Sequence, residues 1–134
     1  MTAHRNHFIA CFLLVIFGSC EKEDQNPVQL IGKWKLVEQL IDPGDGSGVF
    51  ESIASDKTIS FFSNGSFSST GPMCTMDVGS STPSEGSYSL TDGIINPSSC
   101  PMMTGSIHFE IIENSLILSY PCIEPCREKF RKAE

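Results

Sequence analysis

The chain has 134 residues, enough for one domain with a modest core, and 16 acidic against 9 basic side chains give it a net charge of −7. An acidic chain without a basic patch argues against nucleic acid as a partner, because phosphates must be met by clustered Lys and Arg. Beyond the first seven residues only one histidine remains, His108, and its alternation with Ile107 and Phe109 sets it on the wet face of its strand, so no Ser-His-Asp or Cys-His site is expected, while carboxylate chemistry stays open.

The N-terminus has three parts. His4, Arg5 and His7 form a weakly basic head, Phe8 to Phe17 is apolar throughout, and Gly18 and Ser19 are small. This is the layout of a secretory signal peptide over residues 1–19, and its apolar run is too short to span a bilayer. Phe17-Gly18-Ser19-Cys20 resembles the lipobox of bacterial lipoproteins, in which the cysteine is lipidated and becomes the mature N-terminus. The resemblance implies lipidation of Cys20 and stable anchoring by more than one acyl chain. Glu21-Lys22-Glu23-Asp24 follows directly. It serves either as a solvated tether or, by its likeness to acidic runs behind lipidated cysteines, as an export signal to the outer face of the outer membrane; a periplasm-facing location is the alternative. Residues 20–29 are therefore read as lipidated cysteine and linker, and residues 30–134 as the folded domain.

Strand signals recur along that domain. Lys33 to Ile41 alternates, with Trp34, Leu36, Glu38 and Leu40 on one face. Pro43 to Gly48 is a loop of turn formers. Thr58 to Phe62 and Ser66 to Ser69 flank Asn64-Gly65, a pair suited to a type I′ turn. Glu85 to Thr91 and Gly93 to Ile95 flank a turn at Asp92-Gly93, and Ser106 to Glu113 and Ser115 to Tyr120 flank Asn114. Cys126 to Lys132 forms a last strand with Phe130 inward. His108 and Glu110 fall on the outer face of their strand. Glu38 falls on the inner face, where a Lys or Arg of the last strand would have to balance it. Asp42, Asp45 and Asp56 lack the spacing of an EF-hand.

Seven to nine short strands joined by frequent turns predict an all-β fold. We expect a small up-and-down antiparallel β-barrel of about eight strands, with a β-sandwich as runner-up. A barrel removes the exposed edges that a sandwich leaves.

The cysteines sort by position. Cys11 leaves with the signal peptide and Cys20 takes the lipid. Cys74, Cys100, Cys122 and Cys126 remain, an even number in an oxidising compartment, and predict two disulfides in one of three connectivities. Cys122-x3-Cys126 is loose for a zinc knuckle, so no metal is expected. Two loops rich in Gly, Ser, Pro and Met, Thr70 to Ser84 and Asn96 to Gly105, each hold one cysteine. Met73, Met76, Met102 and Met103 stand beside them. Such thioethers pack over a barrel mouth, adapt to apolar ligands or partners, or suit copper(I).

Ile31-Gly32-Lys33-Trp34-Lys35-Leu36 resembles the Gly-x-Trp opening of lipocalins, and the layout from Leu30 to Lys132 is similar to the short lipocalin-like domains of bacterial surface lipoproteins. The resemblance implies that Gly32 and Trp34 are structural, with Arg127 or Arg131 from the last strand stacking on the tryptophan. It also implies a barrel that is either filled by its own side chains or binds one small apolar ligand. Phe61, Tyr88, Phe109, Leu118, Met73 and Met102 are the ligand-binding candidates. The expected protein is a membrane-anchored, non-enzymatic surface lipoprotein without cofactor that binds a small apolar ligand or a partner protein. The alternative is an accessory subunit of an outer-membrane complex, with a filled barrel and no ligand.

Overall fold

The computed structural model describes residues 27–100 and 105–133; the expected signal peptide, Cys20, the acidic run, Met102 and Met103 lie outside the described residues. One helical turn, α1 (Pro27–Leu30), precedes β1 (Gly32–Ile41), β2 (Glu51–Ser52), β3 (Thr58–Phe61), β4 (Ser66–Ser69), β5 (Ser84–Ser89), β6 (Ile94–Pro97), β7 (Ile107–Ile112), β8 (Ser115–Ser119) and β9 (Cys126–Lys132). All pairings are antiparallel between neighbours, and β1 also pairs with β9, which closes an eight-stranded meander barrel. The predicted strands are present. Short β2 was not anticipated: it lies against the second half of β1 and continues, after the excursion 53–57, into β3 against the first half.

The expected alternation holds for most of the wall. Trp34, Leu36, Ile59, Phe61, Phe67, Ile107, Phe109, Leu116, Leu118 and Phe130 are buried and point inward; Leu30, Met73 and Ile95 join them. The core among the described residues runs from Leu30 to Phe130.

The register gives the barrel two unlike ends. The tight turns 62–65, 90–93 and 113–114 lie at one end together with the start of β1 and with α1. The longer connections 42–50, 70–83 and 120–125 lie at the other, together with both disulfides, Cys74–Cys100 and Cys122–Cys126. We call them the hairpin end and the loop end. The disulfide pairing resolves the three connectivities and uses all four cysteines.

Two local expectations are corrected. First, Val37 is an extra residue in β1 where it pairs with β9: Leu36 faces Phe130 but Glu38 faces Lys129. Such a bulge turns all later side chains over. Glu38 therefore points outward, Leu40 leaves the core, and Gln39 takes the inner position. Second, the hairpin at Asn64-Gly65 is a three-residue loop rather than a two-residue type I′ turn. Only Gly65 adopts positive φ, +83°, and the Asn64 side chain accepts hydrogen bonds from the Ser66 amide and hydroxyl. The turn with both central residues left-handed is Glu113-Asn114, at φ 47° and 64°.

Candidate functional site

The hairpin end is shut by local chemistry. Trp34 lies across it and donates its indole N–H to the Leu30 carbonyl at 2.8 Å. The cation on its face is the ammonium of Lys132, 4.4 Å from the ring centroid, which also donates to the carbonyls of Gln29 and Ile31 at 2.6 and 2.7 Å. Partial burial holds the Lys132 pKa below the ordinary lysine value. The expected arginines are out of phase. β9 sends Cys126, Glu128 and Phe130 inward, so Arg127, Lys129 and Arg131 point out. The structural role expected of Gly32 also has a basis, since its φ of +118° suits glycine.

Aromatic and aliphatic side chains pack across the middle of the barrel. Phe61, Phe109 and Leu118 are at most 5 % exposed, and the Phe61 ring packs against Tyr88, Phe67 and Phe109 at centroid separations of 5.3, 6.2 and 6.3 Å. Tyr88 is half-buried and spends its hydroxyl on the Phe62 carbonyl at 2.6 Å. These ligand-binding candidates form the core.

A charged network fills the interior toward the loop end. Lys57 and Glu128 are both fully buried. The Lys57 ammonium donates to both carboxylate oxygens of Glu128, at 3.0 and 3.1 Å, and to the Asp77 carbonyl at 3.2 Å. The Tyr120 hydroxyl donates to Glu128 Oε2 at 2.6 Å, and Gln39 Nε2 donates to Glu128 Oε1 at 3.1 Å and to the Met76 carbonyl at 2.6 Å. Burial, and then the adjacent carboxylate, push the Tyr120 pKa well above its ordinary value, so it stays a donor. Four donations leave Glu128 saturated, which makes this a closed structural network rather than a waiting acid or base. Gln39 and Lys57 also pin the loop carrying Met73 and Met76, which covers the mouth. Sequence reasoning singled out Glu38 and missed Glu128. The available signal was that Glu128 stands in phase with Phe130, which was expected inward. Glu38 does pair with a lysine of the last strand, Lys129 at 2.6 Å, but on the outer face.

The loop end carries a concavity outside the wall. A cleft of about 960 Å³ lies beside the Cys74–Cys100 disulfide, between the ends of β4 and β5 (Ser68, Ser69, Ser84, Glu85) and the prolines Pro72, Pro83 and Pro97. That volume suits a small ligand or a partner's side chains. Serine and threonine hydroxyls supply polar contacts, and Glu85 supplies the charge. A second loop there folds around Asp42, whose carboxylate accepts from the amides of Gly44, Gly46 and Gly48 at 2.7, 3.1 and 2.8 Å. These amides, Gly48 foremost, hold its pKa below the usual carboxylate range. A side chain at Gly48 would collide with Asp42.

No family model, curated protein or solved structure matches this chain.

Proposed function

We propose that the protein is a surface lipoprotein, anchored to the outer membrane through a lipidated Cys20, whose lipocalin-like barrel is a rigid binding module engaged from outside rather than a carrier with an internal pocket. The observation that carries this reading is the contrast between an interior packed with its own side chains and a cleft of about 960 Å³ on the disulfide-tied loop end. The partner is a small apolar molecule or a protein segment that packs on Pro72, Pro83 and Pro97 and hydrogen-bonds to the neighbouring hydroxyls. The reading assigns no catalysis: His108 is exposed on the barrel wall, and the interior carboxylate is saturated.

Native mass spectrometry on the chain from residue 21, after incubation with extract of its own environment, tests the reading. A bound species lost on Ser68→Trp or Glu85→Trp, which fill the cleft, is the expected result. A species retained by both variants but lost on Phe109→Ala places the site inside the barrel and overturns the proposal.

A further inference from the structure

The positive charge of this acidic protein is segregated. Apart from buried Lys57, every lysine and arginine among the described residues lies on β1 or β9, neighbours across the seam that closes the barrel. The register places part of this charge beside exposed apolar side chains. Ile112 faces Ser115, Ser115 faces Arg131, and Arg131 faces Lys35, so these residues form one row across four strands and share the outer face. Lys33 stands two residues along β1 from Lys35 and faces Ser60; Phe62 lies two residues beyond Ser60, past the end of β3. Ile112 and Phe62 are each 46 % exposed. Lys33 and Arg131 are exposed and have no ion-pair partner among the described residues.

All of these residues belong to the hairpin end, and the chain enters the barrel there. Cys20 precedes Pro27 by seven residues, a reach of at most about 25 Å when fully extended. A lipid on Cys20 therefore keeps this end near the bilayer.

We propose that the hairpin end is a membrane-facing surface: Lys33 and Arg131 meet anionic lipid headgroups, while Lys35 is already paired with Asp56 at 3.3 Å, and Phe62 and Ile112 settle at headgroup level, which points the loop end and its cleft away from the membrane. Basic residues beside apolar ones are the combination that holds a protein on an anionic interface. Each basic residue near such a surface strengthens partitioning about fivefold, and the effect fades within about one Debye length. Anchoring supplies the local concentration that so small a patch needs. Asp92 and Glu113, in the turns of the same end, offset part of this charge, but most other acidic side chains among the described residues lie elsewhere on the barrel, so an anionic surface favours this one orientation. The geometry rests on the lipoprotein reading of Cys20; the affinity of the patch does not.

The test uses the chain from residue 21, which retains every described element but lacks the anchor, and vesicles of phosphatidylcholine with or without phosphatidylglycerol. Co-sedimentation at low salt should favour the phosphatidylglycerol vesicles by about tenfold or more and disappear at high salt. Lys33→Glu with Arg131→Glu should abolish the preference, and Phe62→Ser with Ile112→Ser should weaken binding, in proteins whose circular dichroism and melting match the parent. Equal binding to both vesicles, or none, overturns the proposal. Binding that appears only after Glu21, Glu23 and Asp24 are changed to Ala assigns the patch to the tether and also overturns it. The mass of the mature N-terminus from cells reports Cys20 lipidation independently. Lipidated Cys20 with a barrel that ignores the vesicles sinks the docking surface alone; unmodified Cys20 with a barrel that binds them sinks the anchor alone.

Discussion

Glu128 is the residue on which the interior depends most. Burying a carboxylate is costly unless its charge is paired and its lone pairs are filled, and here Lys57, Tyr120 and Gln39 do both. Glu128→Gln keeps the shape but leaves the Lys57 ammonium buried without a counter-charge. We expect it to lower stability by about 3–5 kcal/mol, and Lys57→Met to cost a similar amount. Combining the two removes both charges, so the double variant should lose clearly less than the sum. Urea denaturation with an unchanged m-value measures this; strictly additive losses would show that the pair is not coupled. This chemistry was hard to read from sequence because Lys57 and Glu128 are 71 residues apart. Nothing local to Lys57, in a polar stretch between two strands, marks it as interior.

At the scale of the element, alternation was legible and its interruption was not. Trp34 and Leu36 are buried because a strand shows every second side chain to one face. The same rule failed at Glu38 and Leu40 because Val37 is a bulge, and one extra residue in a strand leaves no compositional mark. Turns behaved similarly. Asn64-Gly65 is the stronger sequence signal, yet the left-handed pair forms at Glu113-Asn114, where Ile112 and Ser115 face each other across two residues and the strand twist selects that backbone. Glutamate is poorly suited to a φ of 47°. Glu113→Asn with Asn114→Gly should therefore raise stability by about 1 kcal/mol without altering the fold. Thermal melting decides the point. No gain, or a loss, would mean that Glu113 is not held in the left-handed region.

For the whole molecule, strand count and frequent turns sufficed for the barrel, since neighbouring hairpins that bury one face have few ways to close. They did not decide whether the barrel was hollow. That depends on whether Phe61, Phe67, Tyr88 and Phe109 meet across the interior, a property of closure and not of any one strand. Nor could spacing choose the disulfides, whose unequal loops now make a prediction. Cys74–Cys100 closes a separation of 26 residues and ties two long loops at the cleft; Cys122–Cys126 spans only 4. If crosslinks act mainly by limiting the unfolded chain, the longer loop stabilises more. Cys74→Ser with Cys100→Ser should cost about 3 kcal/mol, and Cys122→Ser with Cys126→Ser about 2 kcal/mol. Met73, fully buried beside Cys74, gives the first pair a second consequence. Without the tie, the covering loop is held by the carbonyls of Met76 and Asp77 that cap the interior network, so the cleft should loosen before the barrel does. Urea denaturation of both variants gives the two losses, and amide exchange over residues 70–84 reads the loosening. Equal losses would separate disulfide stabilisation from loop length, and unchanged exchange would show that the buried network alone holds the loop end closed.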